Sequence, residues 1–402
     1  MNPLPLVIAE LRRNPLGCAA IVILIAIAVA LGIAVTTQER ALREASNRAA
    51  QRFDLVIGAP GSATQLILTT VYLQPAALDL LPKAALLELA QEPGVEAVAP
   101  VAVTDSYQGY TVVGTSAAFV GMGGVIEGRV FADDTEAVVG SLVALPLGYK
   151  LFPAHGSAAE NVLESHEHQH LLTVVGRLTP SGTPWDRAIV VPIEALWAMH
   201  ADAQSQRLPL VPLQLGPPWR EDQVGRVPAI VVKPRSVADA YRLRTKYRGR
   251  ETTALFPAEA LLPLYALLGD VRDVLASMSL AFQVLLIAAV LLVIVAVLAA
   301  RRQSLGVLRA LGAPPAFVFL TVWLQSVLLM AAGLLVGVGF GWVLSHSLSS
   351  FAAARTGLAM NASPGIREVV QMLVLLVAGA SFAALPSLVA LRIPAARLLR
   401  TG

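Results

Sequence analysis

Four stretches of the chain run without a charged residue for long enough to cross a membrane. They are expected as spans at 16–36, 274–300, 316–345 and 369–391. A helix needs roughly 20 apolar residues to cross about 30 Å of hydrocarbon, and each stretch meets that length. The first span runs into TTQERALREASNRAAQR, polar and alanine-rich without Gly or Pro, which predicts a helical stalk over 37–52. From 53 to 273 the pattern changes. Short strand-like pieces are expected at Phe53–Gly58, Val95–Val103, Gly109–Gly114, Leu172–Arg177, Ala188–Val191 and Ala229–Lys233. Helical stretches lie around Lys83–Gln91, Val237–Tyr247 and Ala258–Leu268, and Pro60-Gly61, Pro93-Gly94 and Ser181-Gly182 supply turns. This is enough chain for one or two α+β subdomains with a buried core. The Pro-rich stretch Leu208–Pro218 reads as an irregular excursion.

Composition agrees with the spans. Hydrophobic residues make up 56% of the 402 and charged ones 14%, against about 25% charged in soluble domains. Net charge is +3, and the basic residues flank the apolar runs rather than forming a phosphate-binding surface, so no nucleic acid is expected. Arg12 and Arg13 precede the first span, Arg301, Arg302 and Arg309 follow the second, and Arg392, Arg397 and Arg400 follow the fourth. The positive-inside rule then puts residues 1–15, 301–315 and 392–402 in the cytoplasm. It puts the 53–273 domain and a short 346–368 loop outside, in an inner or plasma membrane. The fold class is a membrane protein with four transmembrane α-helices and a large extracytoplasmic α+β domain between helices 1 and 2. A cleaved signal peptide is the competing reading of the first span. Cys18, the single cysteine, is a buried thiol rather than a lipoprotein acceptor, because Pro15 stands where an aliphatic residue is wanted.

Gly333, Gly337 and Gly341 lie on one face of the third span, a small-residue surface for close helix packing in cis or with a second copy. The basic segment 301–315 is too short to fold alone. Leu305, Leu308 and Leu311 form a stripe, Arg301, Arg302 and Arg309 lie off it, and Gly312 with Pro314-Pro315 ends the helix. It presents a small surface on the cytoplasmic face, a handle for a partner to move.

Other chemistry is sparse. No G-x-x-x-x-G-K-[ST] loop is present, so ATP enters only through a partner chain. His166-Glu167-His168-Gln169-His170 matches H-E-x-x-H, but a strand-like run follows at once and no third metzincin ligand appears. A loop in which His166, His168 and His170 hold a metal such as zinc competes with a plain solvated loop, and a membrane metalloprotease is the weaker alternative. Thr179–Arg187 reads as a structural, turn-rich loop in which Asp186 and Arg187 pair with neighbours. The spans hold no acid, which argues against an ion-coupled carrier.

R-x-x-L-G-V-L-R-A-L-G-A, from Arg302 to Ala313, followed by a Gly-rich span, resembles the permease module of the FtsX-like/MacB-type ABC transporter family. Pro386, Arg392, Pro394, Leu399 and Arg400 resemble that family's end. The segments Phe53–Ala59 and Gly182–Arg187 are similar to a subgroup associated with metal-related, zinc-responsive gene clusters. Where the family often has Arg-Glu-Ile, this chain has Gln303-Ser304-Leu305, so the polar contacts to the ATPase differ. The resemblance implies a mechanotransmission permease that is not itself an enzyme. Two copies would act with separate ATPase subunits, among membrane lipid and with a periplasmic partner protein. It assigns Arg301, Arg302, Ser304, Leu305, Leu308, Arg309 and Leu311 to a coupling helix. A zinc-related metal-binding or sensing protein is the alternative function.

Overall fold

The structure is a computed structural model. It describes residues 2–155, 170–200, 215–260, 313–361, 363 and 365–392, with Val274, Ser277 and Val284 between. The chain divides into two compact units. The first holds Met1–Leu42, Leu268–Ser350 and Asn361–Gly402, and the second holds Arg43–Leu267 and Phe351–Met360.

In the first unit, α1 (Leu4–Arg13) ends at Asn14, and α2 (Pro15–Ala50) starts at Pro15 and continues for 36 residues into the second unit. A proline suits a first helical turn because its missing N–H needs no partner there. Helix α8 (Pro315–Thr356) has 42 residues and α9 is Ile366–Arg392. The intervening α3 to α7 belong to the second unit. By length and composition α2 and α8 can each cross a membrane, with mean hydropathies of 3.1 and 2.3 over their most apolar windows. The apolar part of α9 is shorter, and the expected span 274–300 lies outside the described residues.

Helices α2 and α8 run parallel along a seam of small residues. A Cβ on Gly333 would stand 2.7 Å from Ile25 Cβ, one on Gly337 2.8 Å from the Ala26 carbonyl oxygen, and one on Gly341 3.0 Å from Ala30 Cα. The partner of the glycine face is therefore in cis. Ile25, Val29, Ile33 and Leu334 fill the space beside it. Past the apolar stretch the same seam becomes polar. The Thr37 and Ser345 hydroxyls meet at 2.8 Å, and Gln38 Nε2 donates to the Ser345 carbonyl at 2.8 Å and to Ser349 Oγ at 3.0 Å. Arg40 then donates to the buried Glu368 carboxylate at 3.0 and 3.2 Å and to the Ser363 carbonyl. Helix α9 runs antiparallel to α8, with Trp323 Nε1 donating to the Ala380 carbonyl at 2.9 Å.

The extent of α8 corrects one expectation. The helix continues to Thr356, so the loop expected at 346–368 shrinks to 357–365. An apolar run measures a span, not a helix. Residues 346–356 contain no Gly or Pro to stop the helix, and Gly357, with φ +72°, does.

The second unit is built on one sheet. Its strands in chain order are β1 (Leu55–Gly58), β2 (Val95–Tyr107), β3 (Tyr110–Thr115), β4 (Val125–Gly128), β5 (Glu136–Val139), β6 (Lys150–Leu151), β7 (Ala154–His155), β8 (Leu172–Leu178), β9 (Ala188–Pro192), β10 (Ala229–Pro234) and β11 (Thr253–Leu255). Among the described residues the order is β11-β1-β10-β2-β3-β9-β5-β8-β4, with β6 on β8 and β7 on β2. The first half of β2 pairs with β10 and the second half with β3, so this long strand joins two lobes. Pairs β3/β9 and β5/β8 are parallel and the others antiparallel.

Both faces of the sheet are covered. Leu55, Ile57, Val98, Val112, Ala137, Val139, Ile189, Val191, Ile230 and Val232 face one core. Val56, Ala99, Val101, Val113, Val138, Ala188, Val190, Ala229 and Val231 face the other. The first core also takes α4 (Lys83–Gln91), α6 (Ile193–Met199) and α7 (Val237–Lys246), through Leu86, Ile193 and Leu243. The second takes α3 (Ala63–Thr70), capped by Ser62, and α5 (Ala117–Gly123), through Ile67 and Phe119.

A glycine in the seam has no room for a side chain, whereas one beside it does. Gly337→Leu is expected to destabilise the purified protein by roughly 1–3 kcal/mol, the usual cost of overpacking. Gly339→Leu, with nothing within 4 Å of its Cβ position, should leave the thermal midpoint unchanged. Equal midpoints for the two variants would contradict the seam.

Candidate functional site

The second core receives more than the sheet's own helices. The ends of α2 and α8 dock on it through residues of the second unit. Ala45 and Ala49 on the last turns of α2 are 1% and 0% exposed there, and Leu358, just past α8, is 7% exposed. Alanines suit this place, since they favour helix and let its backbone come close to the sheet. Tyr72 Oη donates to the Ser46 carbonyl at 2.9 Å.

The receiving surface is the loop between β8 and β9. Its Thr-Pro-Ser-Gly-Thr-Pro sequence resists helix and strand, and Pro184–Arg187 closes into one 3-10 turn. Asp186, buried at 3% exposure, holds the loop from within. Its carboxylate accepts from Ser181 N at 2.9 Å, Gly182 N at 2.7 Å and Ser181 Oγ at 2.8 Å. Hydrogen bonds to a charged group are the stronger kind, and here they compensate the burial of the carboxylate. Trp185 packs its ring 5.0 Å from Phe119 and 6.1 Å from Phe53, tying the loop to α5 and to the residue that follows the stalk.

The loop then grips the end of α8. Arg187 Nη1 donates to the Ala354 carbonyl at 2.6 Å, satisfying a carbonyl the helix end leaves open. Ala359 N donates to the Gly182 carbonyl at 3.0 Å, and Arg48 Nη1 on α2 donates to the Ala359 carbonyl at 3.1 Å. Gly357 is required twice, by its φ of +72° and because a Cβ would stand 3.0 Å from Pro184 Cα. The result is a joint through which two helix ends are held to one sheet.

The expected site residues are placed unevenly. Gly333, Gly337 and Gly341 meet α2. Arg301, Arg302, Ser304, Leu305, Leu308, Arg309 and Leu311 lie outside the described residues, as do His166 and His168. His170 Nε2 lies 3.1 Å from the Asp134 carbonyl oxygen. Burial and the hydrogen bond with Asp133 push the Asp134 carboxyl up, and that same hydrogen bond holds Asp133 down. Among the described residues no three His, Cys, Asp or Glu side chains group as metal ligands. A cleft of about 110 Å³ lined by Ser62, Gln65, Asp79 and Pro228 opens beside α3, well below the roughly 300–1,000 Å³ of a drug-sized ligand site.

The Thr179–Arg187 loop is plain in the sequence, but what it holds is not. Arg48 looked like any polar stalk residue. Leu358 and Gly357 sat in a stretch read as loop, and Phe53 and Phe119 are core-type residues with no local signal for each other.

Residues 276–395 match the family model of the FtsX-like permease C-terminal, and residues 18–246, more than half of the chain, match that of the MacB-like periplasmic core domain. No curated protein matches the chain.

Removing the carboxylate at the centre of the joint should leave its donors without their buried acceptor. Asp186→Ala is expected to cost about 3 kcal/mol, at the upper end for an unsatisfied buried group. It should also speed protease cleavage near 181–187 in the folded protein. Unchanged denaturant midpoint and cleavage rate would show that Asp186 does not organise the loop.

Proposed function

Because the chain belongs to the FtsX-like permease family with a MacB-like periplasmic core domain, we propose that it is an ABC transporter permease subunit that transmits force rather than forming a channel. Permeases of this family work with an ABC ATPase partner, sit in the membrane and carry an extracytoplasmic core domain. In our reading the ATPase seats the 301–315 segment, with Leu305, Leu308 and Leu311 in its groove and Arg301, Arg302, Ser304 and Arg309 at the rim. Nucleotide-driven closure moves that segment. Helices α2 and α8 carry the motion outward, and the core domain acts on a substrate or partner protein on the far side. Two permease copies and two ATPase subunits would form the working assembly.

The observation that carries this reading is the course of α2 and α8. Each is one helix that runs from an apolar stretch of the first unit into residues that belong to the sheet-bearing unit. A helix without a kink passes displacement along its axis, whereas a flexible linker would absorb it. Their parallel packing also supports the topology. Two parallel spans require the chain between them to cross back, which 274–300 is long and apolar enough to do. The spans carry no acid or base to line a polar path, which favours force transmission over conduction.

Leu308→Asp puts a charge on the expected ATPase-facing stripe. The variant should insert and purify normally yet lose permease-stimulated ATP hydrolysis, measured with the ATPase subunit in the same detergent or nanodisc. Stimulation at the native level would remove the coupling role from this segment.

A further inference from the structure

We propose that α1 docks in the plane of the membrane on an anionic lipid surface, with Arg12 and Arg13 on the phosphate-bearing headgroups and Leu4 and Ile8 among the acyl chains. The inference rests on the reading of α2 as a membrane span. Ten residues, LPLVIAELRR, make α1, and its two sides differ. Pro3 and Val7 are buried, and Glu10, the only acid of the helix, is half-buried on the same side. The other side is exposed. It consists of two rows at helical spacing, Leu4–Ile8–Arg12 and Pro5–Ala9–Arg13. Each row begins apolar and ends in an arginine.

Leu4 and Ile8 are 44% and 47% exposed, which water penalises and hydrocarbon does not. Two observations favour lipid as their cover. The first is continuity with a span. Leu16, 83% exposed, stands at the start of α2, just past the end of α1, so the exposed side of α1 adjoins apolar surface that enters the bilayer. The second is charge. Apolar and basic side chains on one exposed side are the make-up of helices that lie in the membrane interface. An arginine lays its aliphatic stem along apolar surface and turns a planar fork of donors to phosphate oxygens. Glu10 is held on the half-buried side, away from the headgroups it would repel. The chain also builds a break where the two helices meet. Asn14, at φ −130° and ψ 66°, ends α1, and its Oδ1 accepts from Gly17 N at 3.3 Å. A Cβ on Gly17 would stand 2.7 Å from Asn14 Nδ2, so glycine lets this side chain cap the start of α2. The break frees α1 from the direction of α2, so it can lie along the membrane face at which α2 enters. That face is the cytoplasmic one in the topology read from the basic residues, where anionic lipids attract arginine.

The test places the full chain in nanodiscs of phosphatidylcholine alone, or of equal parts phosphatidylcholine and phosphatidylglycerol. A nitroxide is attached to Ile8→Cys in a Cys18→Ala background. Its collisions with oxygen, which concentrates in hydrocarbon, and with a water-soluble nickel chelate report the ratio of docked to undocked helix. Phosphatidylglycerol should raise that ratio roughly 25-fold, about fivefold for each arginine. Arg12→Gln/Arg13→Gln should abolish the rise, as should salt at about 1 M, which screens charges beyond roughly 3 Å. Thermal midpoints in detergent show whether each variant is folded. A nitroxide in water in both discs, an unchanged ratio on adding phosphatidylglycerol, or a rise that survives in the double variant would overturn the assignment. Loss of lipid contact on adding the ATPase subunit would overturn it too, by giving this face to that partner. Incorporation into the disc checks the span separately, and ATP hydrolysis enters none of these readouts, so the docking of α1 and the transmission of force stand or fall apart.

Discussion

Helices in a bilayer gain little by hiding apolar surface from one another, because lipid tails are as apolar as leucine. What holds α2 to α8 must therefore be close packing and polar contacts. The seam supplies them in that order along its length. Glycines at 333, 337 and 341 admit the α2 backbone at Ala26 and Ala30. Hydroxyl and amide contacts follow at Thr37, Gln38, Ser345 and Ser349. The Arg40–Glu368 pair then brings in the start of α9. If this seam opened, α2 and α8 would move as two separate rods, and no single displacement could pass along them.

The far ends of the same two helices face a different solvent and use different physics. There the hydrophobic effect operates, and Ala45, Ala49 and Leu358 are buried in a true core. Direction comes from the loop around Asp186, which is rigid because its carboxylate is satisfied by its own backbone. Arg48 and Arg187 add donors aimed at carbonyls just before and after Gly357. The sheet they grip is covered on both faces, and β2 joins its lobes in one strand.

Much of this was legible in the residues, and the reasons for the rest are physical. The two span-length helices, α2 and α8, announce themselves because charge is excluded over a fixed length. The Gly333 face was visible for the same reason, though not its partner, since spacing on one helix says nothing about which helix lies opposite. Strands buried on both faces, such as Leu55–Gly58 and Ala188–Pro192, read as apolar runs and were placed within a residue or two. Short strands such as Glu136–Val139 offered too few residues for a period to show. Helix α8 outruns the expected span 316–345 because nothing before Gly357 stops it. The joint itself was half visible. Its turn chemistry at Thr179–Arg187 was plain, but the contacts to 354–359 span long sequence separations that no local pattern records.

In the proposed mechanism, nucleotide state in the ATPase reaches the core domain through the ends of α2 and α8. Hydrogen exchange of the assembled permease and ATPase, compared without nucleotide and with ATP trapped, tests it most directly. Protection at 181–187 and 351–360 should change with nucleotide. In an Arg48→Ala/Arg187→Ala variant that change should vanish from 181–187 while persisting in the apolar part of α8. Native ATP turnover with no change at either segment in the unmodified protein would contradict it.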